Sequence, residues 1–225
     1  MTRPLRLAQT LMGFAADFTL NLLYLRRAHG LEKLNPRQRH LFVANHVSLL
    51  DTILLGGLFW RSGCHPILVL GDKKVWSVTR LHRALSRPIG FLVERGRMNP
   101  ARIEELRAFA CCAEHFQLVV FPEGTRGNGV DVAECQPGIF YVAQAARAPI
   151  VPVFIENMQF LSTKTGRFHP IGGLKKIEVH FGDPVAPEDY LHLSREEFTE
   201  FIREKISALR PTQRAARLSP APLPG

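Results

Sequence analysis

Four short runs hold the residues whose types and spacing suit chemistry. In Asn45-His46-Val47-Ser48-Leu49-Leu50-Asp51 a histidine precedes an aspartate by five residues. An imidazole paired with a carboxylate is the arrangement of a general base: the carboxylate fixes the ring tautomer and stabilises the imidazolium that forms. Five residues is too long for one helical face, so His46 belongs on the turn before a helix and Asp51 in its first turn, reaching back. The same letters also read as a helix start, Ser48 with an acidic residue three places on. Chance alone puts such a pair in roughly one chain in four of this composition, so the spacing needs company. Phe121-Pro122-Glu123-Gly124-Thr125-Arg126-Gly127 follows an apolar run, and loops at the carboxyl ends of strands are where open α/β sheets build their sites. Gly124 and Gly127 permit close backbone approach, Thr125 offers a hydroxyl, and Arg126 offers a fork for phosphate. An ordinary turn rich in Gly and Pro would look similar. Gly90-Phe91-Leu92-Val93-Glu94-Arg95-Gly96-Arg97 ends in two arginines that suit either phosphate or solvent. Pro149-Ile150-Val151-Pro152 is a strand flanked by prolines.

These runs have to be held by something, and the pattern between them alternates. Apolar stretches read as strands at Leu41–Ala44, Ile67–Leu70, Ile89–Val93, Leu118–Phe121, Ile150–Ile155 and Ile177–Phe181. Helical stretches fall near residues 49–60, 73–86, 100–115, 137–147 and 195–209. Asn99-Pro100 is a helix-start signature, and Ser194 with Glu197 is a capping box. Strands alternating with helices of this length predict an α/β fold with a mostly parallel central sheet flanked by helices.

The first thirty residues form a segment of their own. Leu5 to Leu25 is mostly apolar, but Gln9, Gly13, Asp17 and Asn21 recur every fourth residue and make one ridge along a helix. Asp17 and Asn21 argue against a membrane span, and no cleavage site follows a clean apolar core. Arg3, Arg6, Arg26 and Arg27 at the two ends suit an amphipathic, membrane-associating helix lying in the headgroup plane. A helix docked on the protein's own core is the other reading. Residues 31–210 then form one catalytic domain, and the Pro-rich, basic stretch 211–225 is expected to be disordered.

Composition limits the function classes. At 225 residues, 46% apolar and 22% charged, the chain has the make-up of one folded domain. Its net charge of +9 favours anionic partners. The charge is scattered, with no basic stripe or recognition helix, so no nucleic acid is expected. Cys64, Cys111, Cys112 and Cys135 lack disulfide or zinc spacing, so neither metal nor cofactor is expected. There is no Gly-x-Ser-x-Gly elbow, which disfavours a serine hydrolase.

Taken together and in order, Asn45-His46-x4-Asp51, the Gly90–Arg97 strand end, Phe121–Arg126 and Pro149–Pro152 resemble the four motifs of the glycerolipid acyltransferase family, most nearly its bacterial 1-acyl-glycerol-3-phosphate acyltransferases. The resemblance covers residues 39–182, and the Phe121–Arg126 run is its most specific part. It implies that His46 is the general base oriented by Asp51, and that the acyl donor is acyl-CoA or acyl-carrier protein. It also implies that Asn45, Arg95, Glu123, Gly124, Thr125 and Arg126 bind a lyso-lipid acceptor, and that Pro149–Pro152 lines or supports the site. The expected place is the cytoplasmic face of a bacterial inner membrane, at the lipid surface. Three positions depart from the family. Gln136-Pro137-Gly138 stands where a Lys before Gly is usual, Glu94 where Asp is common, and Leu49-Leu50 where an aromatic is common. The first leaves another acceptor open, such as a lyso-ornithine lipid. A non-catalytic membrane-surface protein would be expected to have lost His46 or Asp51.

Overall fold

Alternation along each strand decides which layer a side chain joins. The computed structural model describes residues 3–73, 83, 88–93 and 99–211. Its sheet contains β1 (Leu25–His29), β2 (Arg39–Ala44), β3 (Ile67–Asp72), β4 (Gly90–Val93), β5 (Phe116–Val120), β6 (Ile150–Glu156) and β7 (Ile177–Phe181). The strand order is β1-β7-β6-β2-β5-β3-β4. Every neighbouring pair is parallel except β6 with β7. In β2, Leu41 and Val43 turn to one face and Phe42 and Ala44 to the other, and all four are fully buried. The first pair joins a core with Leu106, Ile139 and Phe198, under α4 (Pro100–Cys112), α5 (Gly138–Ala146) and α6 (Arg195–Ser207). The second joins Leu54, Leu58 and Phe59 of α3 (Leu50–Arg61). Strands covered on both faces must be apolar throughout, which is why they read as continuous runs. Two of these helices, α4 and α6, start on side-chain caps: Asn99 accepts from the Ala101 amide, and Ser194 and Glu197 form the capping box.

The N-terminal segment differs from expectation at its end. α1 (Arg3–Ala16) runs through a π-helical turn (Asp17–Asn21) into a last helical turn, α2 (Leu22–Tyr24). The chain then leaves the helix, and Leu25–His29 pairs with β7 instead of continuing helically to residue 30. Arg26 and Arg27 are exposed there, which an edge strand tolerates because only one side is paired. The sheet therefore takes in part of the segment set apart as residues 1–30. The helix expected near 73–86 lies largely outside the described residues, and so does the tail beyond residue 211.

The docking of α1 inverts the usual orientation of an amphipathic helix. Its polar ridge faces the protein. Gln9 Nε2 donates to the Ile67 and Pro88 carbonyls at 2.8 and 2.7 Å, Asp17 pairs with Arg61 at 2.7 Å, and Asn21 donates to the Leu54 carbonyl at 3.3 Å. Leu7, Leu11, Phe14, Phe18, Leu22 and Leu23 are left 48–64% exposed. Among the described residues no helix is long and apolar enough to cross a membrane.

Two predictions concern stability. A Cβ on Gly57 would stand 2.6 Å from Asn21 Nδ2 and 2.8 Å from the Asp17 nitrogen, whereas one on Gly56 would meet nothing. Gly57→Ala should therefore cost about 1–3 kcal/mol through overpacking, while Gly56→Ala should be neutral or stabilise by up to about 1 kcal/mol. Urea midpoints of the two proteins check this. His40 is buried against Gln117, with Nδ1 2.9 Å from Oε1. Burial holds its pKa below the ordinary 6.5, outweighing the Gln117 bond that raises it. The folded chain thus resists a proton that the unfolded chain accepts near 6.5. The stability His40 contributes is present above that pH and is lost as pH falls toward the folded value. Tm should drop between about pH 7.5 and about pH 5.5, and the drop should be smaller in His40→Asn.

Candidate active site

Parallel pairing of β2 with β5 brings together the turns that leave their carboxyl ends. Val43 lies opposite Val120, and the same register carried three residues further sets His46 opposite Glu123. There the His46 amide donates to Glu123 Oε1 at 2.8 Å, and the Ala133 amide donates to Oε2 at 3.2 Å. The Gly127 amide donates to the His46 carbonyl at 2.6 Å. Burial raises the Glu123 pKa, and the hydrogen bonds from the two amides pull it back. On the other flank Asn45 continues the ladder toward β6 with its side chain. Its Oδ1 accepts from the Ile155 amide at 2.6 Å, and its Nδ2 donates to the Ile155 carbonyl at 3.0 Å.

Asp51, in the first turn of α3, closes the His46 turn from below. Its Oδ2 accepts from the Val47 amide at 2.7 Å and the Ser48 amide at 2.9 Å, and lies 2.9 Å from His46 Nδ1. Asp51 is fully buried, so its carboxylate depends on these donors for the solvation it has lost. With Nδ1–H turned to Asp51, the lone pair of the imidazole is on Nε2, which takes no hydrogen bond from the described residues. The ring lies against Phe121 at 4.3 Å between centroids, and the His46 side chain keeps 15% of its surface open. Ser48 is not presented as a nucleophile. It is buried, its hydroxyl donates to Ser162 Oγ at 2.9 Å, and it accepts from the Leu50 amide at 3.2 Å.

The expected site residues divide into four groups. His46 and Asp51 meet. Gly124 and Thr125 lie exposed on the neighbouring loop with Arg126 half-buried, and Arg126 forms no ion pair among the described residues. Gly124 has φ +64°, and a Cβ there would press on Gln136 Cγ at 2.8 Å, which brings the departure at residue 136 to the rim of the site. Asn45 and Glu123, expected to touch the acceptor, instead point inward and hold backbone on either side of His46. Arg95, with Glu94, falls outside the described residues. Pro149 and Pro152 support the sheet: their carbonyls accept from Leu41 at 2.9 Å and Gly182 at 2.8 Å. Two contributors carried no assigned role in the sequence. Phe121 opens a recognised run, and its aromatic character is the signal that it faces the imidazole. Ser162 has no local signal, because its partner lies 114 residues away.

Known proteins resemble this chain in sequence and in fold. The 1-acyl-sn-glycerol-3-phosphate acyltransferase of Saccharomyces cerevisiae is 27% identical over 174 residues, 76% of this chain and 55% of its own. That of Borreliella burgdorferi is 25% identical over 181 residues, 79% of this chain and 68% of its own. The chain thus spans little more than half the length of the yeast relative. A crystal structure of the 1-acyl-sn-glycerophosphate (LPA) acyltransferase PlsC of Thermotoga maritima superposes with a TM-score of 0.64 at 20% identity, covering 96% of this chain and 81% of that one. At that identity the likeness is one of fold. Residues 26–156 match the Acyltransferase family, a span that begins at the edge strand and holds both carboxyl-end turns, and the chain belongs to that family.

Proposed function

We propose that this protein transfers a fatty acyl group from a thioester, acyl-CoA or acyl-carrier protein, to the free hydroxyl of 1-acyl-glycerol-3-phosphate, forming phosphatidate. The observation that carries this reading is the His46–Asp51 pair, 2.9 Å apart, with Asp51 buried and the His46 Nε2 side open. His46 Nε2 takes the proton of the acceptor hydroxyl as its oxygen attacks the thioester carbonyl carbon. The C–S bond breaks as the tetrahedral intermediate collapses, and the imidazolium proton passes to the departing thiolate. Asp51 meets the positive charge that builds on the ring. Asn45 and Glu123 are positioning residues that fix the backbone of the turn. Thr125 and Arg126 lie where an acceptor's phosphate and glycerol would be held, with Arg95 added by the resemblance. The outward apolar face of α1, with Arg6 exposed at its start, supports work at a lipid surface. Four free cysteines accord with a reducing, cytoplasmic face of the bacterial inner membrane. A neutral Gln136 beside Gly124, where the family usually has a lysine, favours a second acceptor, a lyso-ornithine lipid, as the alternative within the same chemistry.

The test is thiol release from palmitoyl-CoA on liposomes, with and without lysophosphatidate. Release that needs both lysophosphatidate and His46 is expected, and release without acceptor would indicate a thioesterase. Release with lyso-ornithine lipid alone would establish the second acceptor. His46→Ala should lower kcat by about a hundred- to ten-thousand-fold with an unchanged circular dichroism spectrum; an active variant would overturn the assigned role. Arg126→Ala should raise KM for lysophosphatidate about tenfold or more and leave that for palmitoyl-CoA nearly unchanged. Equal effects on both substrates would argue against a phosphate contact.

A further inference from the structure

The segment between β6 and β7, residues 157–176, carries Lys164, Arg167, Lys175 and Lys176 and no acidic residue. It is an ordered loop. Met158 and Leu161 are fully buried anchors, Asn157 Nδ2 closes its base on the Lys176 carbonyl at 3.0 Å, and the His169 amide returns to the Leu161 carbonyl at 2.7 Å. Yet it holds outward what a folded loop normally buries: Phe168 is 52% and Ile171 83% exposed, with Phe160 and Leu174 nearly half exposed. A contiguous apolar surface of this kind, set among cations, marks an interaction site.

Its neighbours define the surface further. Phe168 packs edge-on against Tyr24 at 6.4 Å, and the Lys175 amide donates to the Leu23 carbonyl at 3.2 Å. The loop therefore continues the outward apolar face of α1 and α2. Its other side touches the active site: Ser162 takes the Ser48 hydroxyl, and a Cβ on Gly166 would lie 4.0 Å from Arg126 Nη1. The turn from Thr163 to Arg167, closed by the Gly166 amide on the Thr163 carbonyl at 2.8 Å, thus adds Lys164 and Arg167 to the Arg126 side of the site.

We propose that this loop is a lipid-contact element in its own right that selects anionic bilayers. Phe168 and Ile171 enter the acyl layer while Lys164, Arg167, Lys175 and Lys176 meet headgroup phosphates. The inference rests on the membrane-surface reading above and adds a headgroup preference and a place for it, separate from α1. The complementarity is direct: none of the four cations forms an ion pair among the described residues, where Lys175 Nζ donates to the Leu25 carbonyl at 3.3 Å and Lys176 Nζ lies 5.1 Å from the Phe160 ring centroid. Such cations suit an anionic leaflet, each worth about several-fold in partitioning. An acidic carrier protein would satisfy the charges, but it would leave the apolar tips, continuous with the exposed face of α1, in water.

Sedimentation of the full chain with phosphatidylcholine vesicles, with and without phosphatidylglycerol, tests the proposal. The double change Lys164→Gln/Arg167→Gln should cut partitioning onto phosphatidylglycerol vesicles about tenfold or more and leave binding to pure phosphatidylcholine unchanged. Phe168→Ser/Ile171→Ser should weaken binding to both. Ile171→Trp, which removes no apolar contact, should shift its emission to the blue on vesicle addition. Unchanged partitioning of both double variants, or no shift from the tryptophan, would overturn the proposal. So would loss of transfer from acyl-carrier protein with vesicle binding intact, which would assign the loop to the carrier. Loop-dependent binding by a protein that shows no acyl transfer would instead retire the enzymatic reading and leave this one standing.

Discussion

A single carboxylate oxygen organises the end of the sheet that holds the candidate site. Asp51 Oδ2 receives two backbone amides and faces the imidazole, while Oδ1 is buried with no partner among the described residues. A charged carboxylate removed from water is tolerable only while its donors stay in place. The turn from His46 to Ser48 is therefore tied to the first turn of α3, and neither can shift alone. In the reaction proposed above, a buried carboxylate beside the ring would favour the imidazolium that the proton transfer forms.

The second organising constraint is the polar ridge of α1. A helix with an apolar stripe ordinarily turns it inward, since burial of such side chains is the main favourable term in folding. Here Gln9, Asp17 and Asn21 have specific partners on β3 and α3, and Gly13 and Gly57 have no side chains that would hold the helices apart. Close approach and matched polar groups thus fix the helix through its less apolar side. The hydrophobic stripe is left exposed, as the proposed work at a lipid surface would require.

The sequence conveyed the central strands well, because strands covered on both faces must be apolar runs, and it conveyed the helix starts that have side-chain caps. It did not convey β1. Leu25–His29 has no alternation and two arginines, and only the partner strand, about 150 residues away, makes it a strand. The same distance effect separates the two kinds of site residue. His46 and Asp51 are close in sequence, so their geometry could be reasoned from helix dimensions. Glu123 and Asn45 reveal their part only through the register of β2 with β5 and β6. An acid and an amide at the mouth of a strand look like substrate ligands until the backbone donors opposite them are known.

The position of charge around His46 bears on which acceptor the proposed reaction takes. The lysine that the family usually carries before the glycine that opens α5 is replaced by Gln136, and Gln136 packs on Gly124 at the rim. Arg126 lies on the loop beside the site, and the turn that contains Gly166 rests against it, a Cβ there being 4.0 Å from Arg126 Nη1. Positive charge thus lies on Arg126 and on the loop turn beside it, and not at the start of a fixed helix. A phosphate held there by long, solvated side chains would be bound through the summed field of several charges, with less dependence on the geometry of any one. Such a site would depend less on the exact shape of a charged headgroup than a site built on one fixed lysine. In the proposed reaction the range of acceptors would follow from the placement of charge, and activation of the hydroxyl from His46.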